Sequence, residues 1–410
     1  MTTPDPDLTA LAAAVPPGVR EVCRVLVAAG HEAVTVGGAV RDAMLGRDPG
    51  DWDIATSAHP PEVQALFSHT IPTGLQHGTV TVVIGKGKAR EAIEVTTYRG
   101  EGAYVDGRRP TSVVFGVPLV EDLARRDLVV NAIAYDPVAG VLHDPFDGRG
   151  DVVAKRLRAV GDPAARFTED GLRIMRAIRF AATLEFALDL ETEAAIPSAL
   201  GSLAKVSRER VKVELDKLLG APRPGPALEI ARRTGVLAQE LPEAVTGDDA
   251  AWRQRVAWID ALPADAVLRA TALLGGVDGA AADACWRRLK GANDERDRLV
   301  RLIKAAWTGM CPDAELRRVL AAAGRARGQD MVTLWRARPA VDVADAAGTI
   351  LDRGDPLAAG DLAITGGDLM KELGIPPSRE IGRLIEKCLE AVLDDPSANT
   401  RARLLDLARS

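Results

Sequence analysis

Asp51 and Asp53 stand one residue apart in DWD, shortly after the adjacent glycines of GGAVRD, Gly37 to Asp42. On an extended segment, residues two apart point to the same side, so this spacing aims both carboxylates at one spot. Two like charges held that close resist joint ionisation unless a cation sits between them. A hard divalent ion with oxygen ligands suits such a site, Mg2+ above all. Glu94, in AIEVTTYRG, could bring a third carboxylate. D-x-D by itself is more often an ordinary strand end, and it is the preceding G-G-x-V-R-D that favours the metal reading. The glycines do not form a dinucleotide fingerprint, which needs G-x-G-x-x-G, because here they are adjacent and the next is Gly46. A strand-Gly-Gly-helix turn remains, where backbone N–H groups of Gly37 and Gly38 can approach a phosphate.

These residues need elements to hold them. EAVTV, DWDIAT, TVTVVIG and AIEVTTY are short and β-branched, and read as strands. Beyond about Asp151, Ala-Leu-Arg segments at helical spacing dominate to the C-terminus. RFTEDGLRIMRAIRFAATLEF reads as one helix with Leu172, Met175, Ile178 and Ala182 inward, and Glu169, Asp170, Arg173 and Arg176 on the other face. Three apart on a helix, Asp170 and Arg173 would be neighbours presenting an acceptor beside a fork of donors; an intrahelical salt bridge is the plainer alternative. SRERVKVELDKLLG reads as another helix, stopped at Gly220.

The chain has 410 residues, of which 47% are hydrophobic, enough for a substantial core and two or more domains. Cys23, Cys285, Cys311 and Cys388 lie too far apart for a zinc or disulfide framework, which points to a reducing cytoplasm. No apolar run reaches membrane-spanning length, and the N-terminus lacks a signal-like pattern, so a soluble, unprocessed protein with no membrane partner is expected. A net charge of -6 argues at first sight against a nucleic-acid partner. Local basic stripes from Lys155 to Arg179 and in WRRLKGANDERDRLVRLIK could still follow a phosphate backbone, although each could equally be a solvated helix face.

An ordered set of motifs resembles the class II tRNA nucleotidyltransferase and poly(A) polymerase family of the polymerase-beta-like superfamily. GGAVRD and DWD are followed by RRDLVVNA (Arg125 to Ala132), DPFDGRGD (Asp144 to Asp151), EDGLR (Glu169 to Arg173) and SRERVKVEL. Weaker similarity continues through WRRLKGANDERDRLVRLI and ITGGDLMKELGIPPSREIGRLIEKCLEAVL. The resemblance implies an α+β fold: a nucleotidyltransferase head with a mixed sheet over residues 1–151, then an all-α neck (152–220), body (221–305) and tail (306–410), the tail binding tRNA. It implies template-independent addition of C, C and A to a tRNA 3′ end from CTP and ATP, with release of pyrophosphate. Two Mg2+ ions on Asp51 and Asp53 would serve an in-line displacement, with Glu94 beside them. Asp127 and Asn131 are suited to the ribose hydroxyls and Arg126 to the phosphates. Arg41 could add charge there or pair with Asp42, and Asn131 could equally be a buried polar group. Asp170 and Arg173, with Arg176 nearby, would read the amino group and ring nitrogen that cytosine and adenine share, and refuse uracil and guanine.

The region between Glu94 and Arg125 resembles the full-length loop of members that add the terminal A, and IPTGLQHGTVTVV lacks the basic signature of bacterial poly(A) polymerases. Tyr98 and Leu128 stand where Phe is common. His77 fits a structural or substrate contact better than a base. Arg287, Arg288, Arg296, Arg298 and Arg301 are candidates for RNA backbone contacts in the helical half. A-only addition, poly(A) synthesis and a catalytically silent RNA-binding protein are the competing readings; the last predicts loss of a metal carboxylate, and both are present. The sequence does not set the oligomeric state.

Overall fold

The computed structural model describes residues 6–85, 87, 90–101, 113–305, 311–338 and 343–410. It divides into two compact units, Met1–Arg210 with Arg233–Val236, and Val211–Arg232 with Leu237–Ser410.

The first unit is built on a seven-stranded sheet. Its strands are β1 (Ala33–Val36), β2 (Asp53–Thr56), β3 (Thr70–Gly74), β4 (Thr79–Ile84), β5 (Glu91–Thr97), β8 (Ala134–Asp136) and β9 (Val141–His143), in the order β3-β4-β5-β2-β1-β8-β9. β6 (Arg99–Glu101) and β7 (Val113–Phe115) form a separate hairpin. The β2–β5 pair is parallel and the others antiparallel, which makes the sheet mixed. Along β5, Ile93, Val95 and Thr97 are buried while Glu94 looks away from that core, the alternation of a half-covered strand. The helices of this unit are α1 (Pro6–Ala14), α2 (Pro17–Ala28), α3 (Gly38–Met44), α4 (Pro60–Leu66), α5 (Leu119–Ala124), α6 (Gly148–Val153), α7 (Pro163–Glu169), α8 (Leu172–Leu184), α9 (Leu190–Ala194) and α10 (Ile196–Leu203). On α2, the buried residues Val19, Val22, Cys23 and Leu26 recur at helical spacing.

The segment expected as one helix over Arg166–Phe186 is two. Asp162 caps α7, its side chain accepting from the Ala165 N–H at 2.7 Å, and the helix ends at Glu169. Asp170 is extended (φ -140°, ψ 106°), and its carboxylate accepts from the Leu172 N–H at 3.0 Å, opening α8. Asp170 and Arg173 therefore do not share a helix face as expected. A local side-chain bond to the backbone outcompetes helix continuation at Asp-Gly. The apolar stripe of Leu172, Met175, Ile178 and Ala182 is buried as expected.

The second unit is helical. Helix α11 (Arg208–Leu219) runs across the division and stops before Gly220. Trp252, Trp258, Trp286 and Trp335 are all buried in its core. Arg269, 2% exposed, donates to the carbonyls of Leu219, Ala221 and Leu262 and so ties down chain ends that no helix satisfies. Among the described residues no helix is long and apolar enough to cross a membrane.

Gly171 sits against the end of α10: a Cβ there would lie 2.3 Å from the Leu203 nitrogen and from the Ser202 carbonyl carbon. Backbone cannot swing aside as a side chain can. Gly171→Ala should cost about 1–3 kcal/mol in urea unfolding, and an unchanged midpoint would show that the joint has slack.

Candidate active site

Strand register brings the acidic residues together. Val36 pairs with Asp53 across β1 and β2, and Ile54 pairs with Val95 across β2 and β5, which sets Asp53 level with Glu94 on the same side of the sheet. β2 begins at Asp53, so Asp51 lies just before the strand and not on it. Trp52 between them points inward and is buried. Asp51 therefore reaches the acidic corner from just outside the paired strand. Asp51, Asp53 and Glu94 line one recess. Burial, Glu94 and Asp51 together push the Asp53 carboxyl upward, against the pull of Arg126. Among the described residues no group of three His, Cys, Asp or Glu side chains is already gathered closely enough to hold a metal ion. The donor chemistry nevertheless suits one: all three groups are oxygen donors, and their mutual repulsion is what a divalent cation would relieve.

Asp53 and Glu94 also border a larger cavity of about 630 Å3, into which the other expected nucleotide-binding residues converge: Gly37, Gly38, Arg41, Arg126, Asp127, Asn131, Asp170, Arg173 and Arg176. Seven arginines and five carboxylates line it, so the cavity is cationic although the chain is acidic.

At the turn, Gly37 takes φ 80°, and a Cβ there would lie 2.9 Å from the Arg126 guanidinium. Its own N–H donates to the Ile133 carbonyl at 3.2 Å. Gly37 therefore makes the turn and leaves room for Arg126, and its amide is committed to the fold and not to a phosphate. Gly38 opens α3, where the first N–H groups lack intrahelical acceptors. Asp122, buried at the edge of α5, accepts from Arg125 at 2.7 Å and from Arg126 at 3.5 Å. Burial lowers the Arg126 pKa despite that neighbour, and its Nε is buried with no hydrogen-bond partner.

Asp127 is the electrostatic centre. Burial alone would push its carboxyl up, but the Arg176 charge, the 2.6 Å bond from Arg176 Nε, the Asn131 amide and the Leu128 N–H override it and bring the pKa down to about 2. Asn131 donates to Asp127 at 3.2 Å while its oxygen accepts from Arg41, which fixes its orientation. Arg41 also pairs with Asp42 at 2.9 Å, so it acts as a buried brace between that carboxylate and Asn131.

The Asp170 carboxylate is held by Arg210 at 3.0 Å, while Arg173 bonds Glu169 at 2.6 Å and the Arg125 carbonyl at 3.0 Å. Both side chains are oriented by partners other than each other, and both reach the cavity. Sequence reasoning missed Arg99, Arg125, Asp122, Arg210 and Phe180 in the lining. Arg125 and Arg210 were within reach, since each sits inside a motif. Phe180 gave no signal: its ring lies under the guanidiniums of Arg41, Arg176 and Arg179 at 5.2, 5.4 and 3.7 Å. His77 lies in a short turn, where its carbonyl accepts from Arg99 at 2.6 Å.

The five arginines expected to contact RNA do not form an open cationic face. Arg287 and Arg296 pair with Asp283, Arg288 with Glu243, Arg298 with Asp265 and Asp330, and Arg301 with Asp297. Arg298 is mostly enclosed and structural, whereas Arg287 and Arg301 keep half or more of their side chains exposed.

Three family models match the chain: "Poly A polymerase head domain" over residues 33–158, "Probable RNA and SrmB- binding site of polymerase A" over 185–246, and "tRNA nucleotidyltransferase domain 2 putative" over 357–408. The CCA-adding enzyme of Lactiplantibacillus plantarum is 36% identical over 406 residues, 95% of each chain. That of Geobacillus stearothermophilus is 51% identical over 209 residues, 51% of this chain and 50% of the other. Among solved structures, the CCA-adding enzyme of Bacillus stearothermophilus in complex with CTP is 32% identical with a TM-score of 0.74, covering 99% of this chain and 97% of that one. The Thermotoga maritima CCA-adding enzyme complexed with tRNA shares the fold, at 19% identity and a TM-score of 0.70 over 98% of both chains.

The Asp127 pKa lies below the ordinary aspartate value of 3.8, so its ionised form stabilises the fold above about pH 4, and that contribution is lost as pH falls towards 2. It amounts to roughly 2 kcal/mol. With Arg176→Met, only the Asn131 amide and the Leu128 N–H oppose burial, the carboxyl titrates higher, and the stability that its ionised form contributes falls. The stability gap between wild type and variant in urea unfolding should shrink steadily from pH 6 to pH 2. A gap that stays constant with pH would show that Arg176 does not hold this charge.

Proposed function

Since this chain belongs to the CCA-adding enzyme family of tRNA nucleotidyltransferases, we propose that it adds C, C and A in turn to the 3′ end of tRNA, using CTP and ATP and releasing pyrophosphate. The observation that carries the reading is the convergence of Asp53 and Glu94 with seven arginines around the Gly37–Gly38 turn in one cavity. A nucleoside triphosphate needs both charges: anionic groups for its metal and cationic groups for its phosphates.

Asp51 and Asp53, with Glu94 beside them, would hold Mg2+. When bound, the metal supplies a lowered pKa at the attacking 3′-hydroxyl and charge neutralisation at the departing pyrophosphate. Arg126, with a buried Nε awaiting an acceptor, meets the triphosphate, and the first free amides of α3 from Gly38 onward add to it. Asp127 and Asn131 accept and orient the ribose hydroxyls, Asp127 staying ionised through Arg176. Asp170 accepts the exocyclic amino group of the base and Arg173 donates to the adjacent ring nitrogen, an arrangement that cytosine and adenine match and that uracil and guanine leave with unpaired polar groups. The Phe180 ring and its guanidiniums offer a stacking surface alongside.

The helical unit would bind the tRNA by shape and backbone, with Arg287 and Arg301 the better candidates of the five arginines. Of the expected loop between Glu94 and Arg125, residues 102–112 lie outside the described residues. Four free cysteines fit a reducing cytoplasm.

The deciding experiment offers CTP, ATP or both, with Mg2+, to tRNA transcripts lacking CCA, CA or A. Stepwise growth to CCA from the shortest transcript is expected; a single A on the longest alone would make it an A-adding enzyme, and long A tails a poly(A) polymerase. Asp53→Asn should abolish incorporation of both nucleotides and remove the Mg2+-dependent rise in melting temperature; retained turnover would overturn the metal assignment. Arg173→Ala should relax C and A selection more than it weakens tRNA binding, and an unchanged preference would count against base reading. Deleting 102–108 should impair A addition more than C addition, whereas equal loss would undo the loop argument.

A further inference from the structure

A second cavity of about 760 Å3 lies in the first unit and shares no lining residue with the nucleotide cavity. Its walls are apolar, formed by Val34, Leu119 and Leu123 among others. Its ionisable groups are the carboxylates of Glu32, Asp136 and Asp144 and the imidazoles of His31 and His143, and no lysine or arginine is among the lining residues. The volume falls within the range of small-molecule sites, about 300–1,000 Å3. Behind Val34 and Leu123, in the same core cluster, stands Tyr98, 1% exposed. Its hydroxyl is buried with Glu32 and Asp136 among the groups around it, and Tyr98 itself is not a lining residue of the cavity.

Helix α5 separates the two cavities. Leu119, Val120 and Leu123 face the apolar one, while Asp122 faces the nucleotide side and holds Arg125, Arg126 and the Arg99 backbone N–H. A six-residue helix packed on one face and bonded on the other passes a displacement from the first to the second.

We propose that this cavity is a binding site for a small organic ammonium with an aromatic or alicyclic body, and that α5 couples its occupancy to nucleotide binding. The apolar walls take the body and the carboxylates select the charge. The coupling rests on the nucleotide reading of the other cavity; the binding does not.

Two probes of matched size separate charge from hydrophobicity: 1-naphthylmethylammonium and 1-naphthylacetate, each followed by saturation-transfer NMR against the full chain without RNA. The cation should bind saturably and the anion at least about tenfold more weakly, the Coulombic difference expected of a partly buried carboxylate cluster. Glu32→Gln with Asp136→Asn should erase that preference, and Leu119→Trp should block both probes. The double substitution keeps side-chain size, so the proposal stays testable should the tryptophan variant fail to fold. Saturating cation should change the CTP dissociation constant about fivefold, and CTP should change the cation's by the same factor. Equal binding of the two probes, or cation binding that survives the double substitution, would overturn the site. Unequal reciprocal factors, or none, with binding intact would overturn the coupling, and failure of CTP itself to bind would fall on the proposed function instead.

Discussion

A carboxylate kept ionised despite near-complete burial is the constraint around which the first unit is organised. Asp127 is almost fully buried, and desolvation of such a charge costs several kcal/mol unless it is fully bonded. Its three partners come from separate places: Arg176 from α8, by bond and by charge, Asn131 from the turn after α5, and the Leu128 N–H from the adjoining backbone. Arg176, the one charged partner among them, cannot leave without stranding the buried carboxylate. The sheet and the helices that follow it are therefore bound by an obligation of charge as well as by apolar packing, and the segment from Asp170 to Arg176 is held in register with Asp127 and Asn131.

The same economy recurs at other side chains of the arginine-lined cavity. Arg41 holds Asn131 while pairing with Asp42, Asp122 holds two consecutive arginines, and Glu169 and the Arg125 carbonyl share Arg173. Selectivity by hydrogen bonding depends on such bracing, because a donor free to swing could satisfy a carbonyl as readily as a ring nitrogen. Asp53 is the exception. Its neighbours Glu94 and Asp51 repel it, so the acidic corner is the part of the site left unbalanced by the protein alone.

Much of this was legible in the residues. The β-branched runs of β1, β2, β4 and β5 and the buried stripe of α8 appeared where periodicity placed them, and the ordered motifs pointed to the residues that meet in one cavity. What escaped has physical reasons. The helical period runs unbroken through Glu169 to Arg173, and only the Asp-Gly dipeptide hinted that a side-chain bond would end one helix and begin another. Asp51 was assigned to a strand whose pairing ends one residue short of Trp52, at Asp53 opposite Val36. In the helical unit, the partners of Arg287 and Arg301 lie four residues away and could have been read, but those of Arg288 and Arg298 lie tens of residues off, where no local rule reaches.

The placement of tryptophan has an optical consequence. Trp52 is the only indole of the first unit, buried between Asp51 and Asp53, while the other five of the sequence lie at 252 and beyond. Replacing those five with phenylalanine would leave a single native fluorophore set between Asp51 and Asp53, and the complementary Trp52→Phe protein would emit from the helical unit alone. The chain thus carries two separable spectroscopic channels, one for each compact unit, without any foreign label.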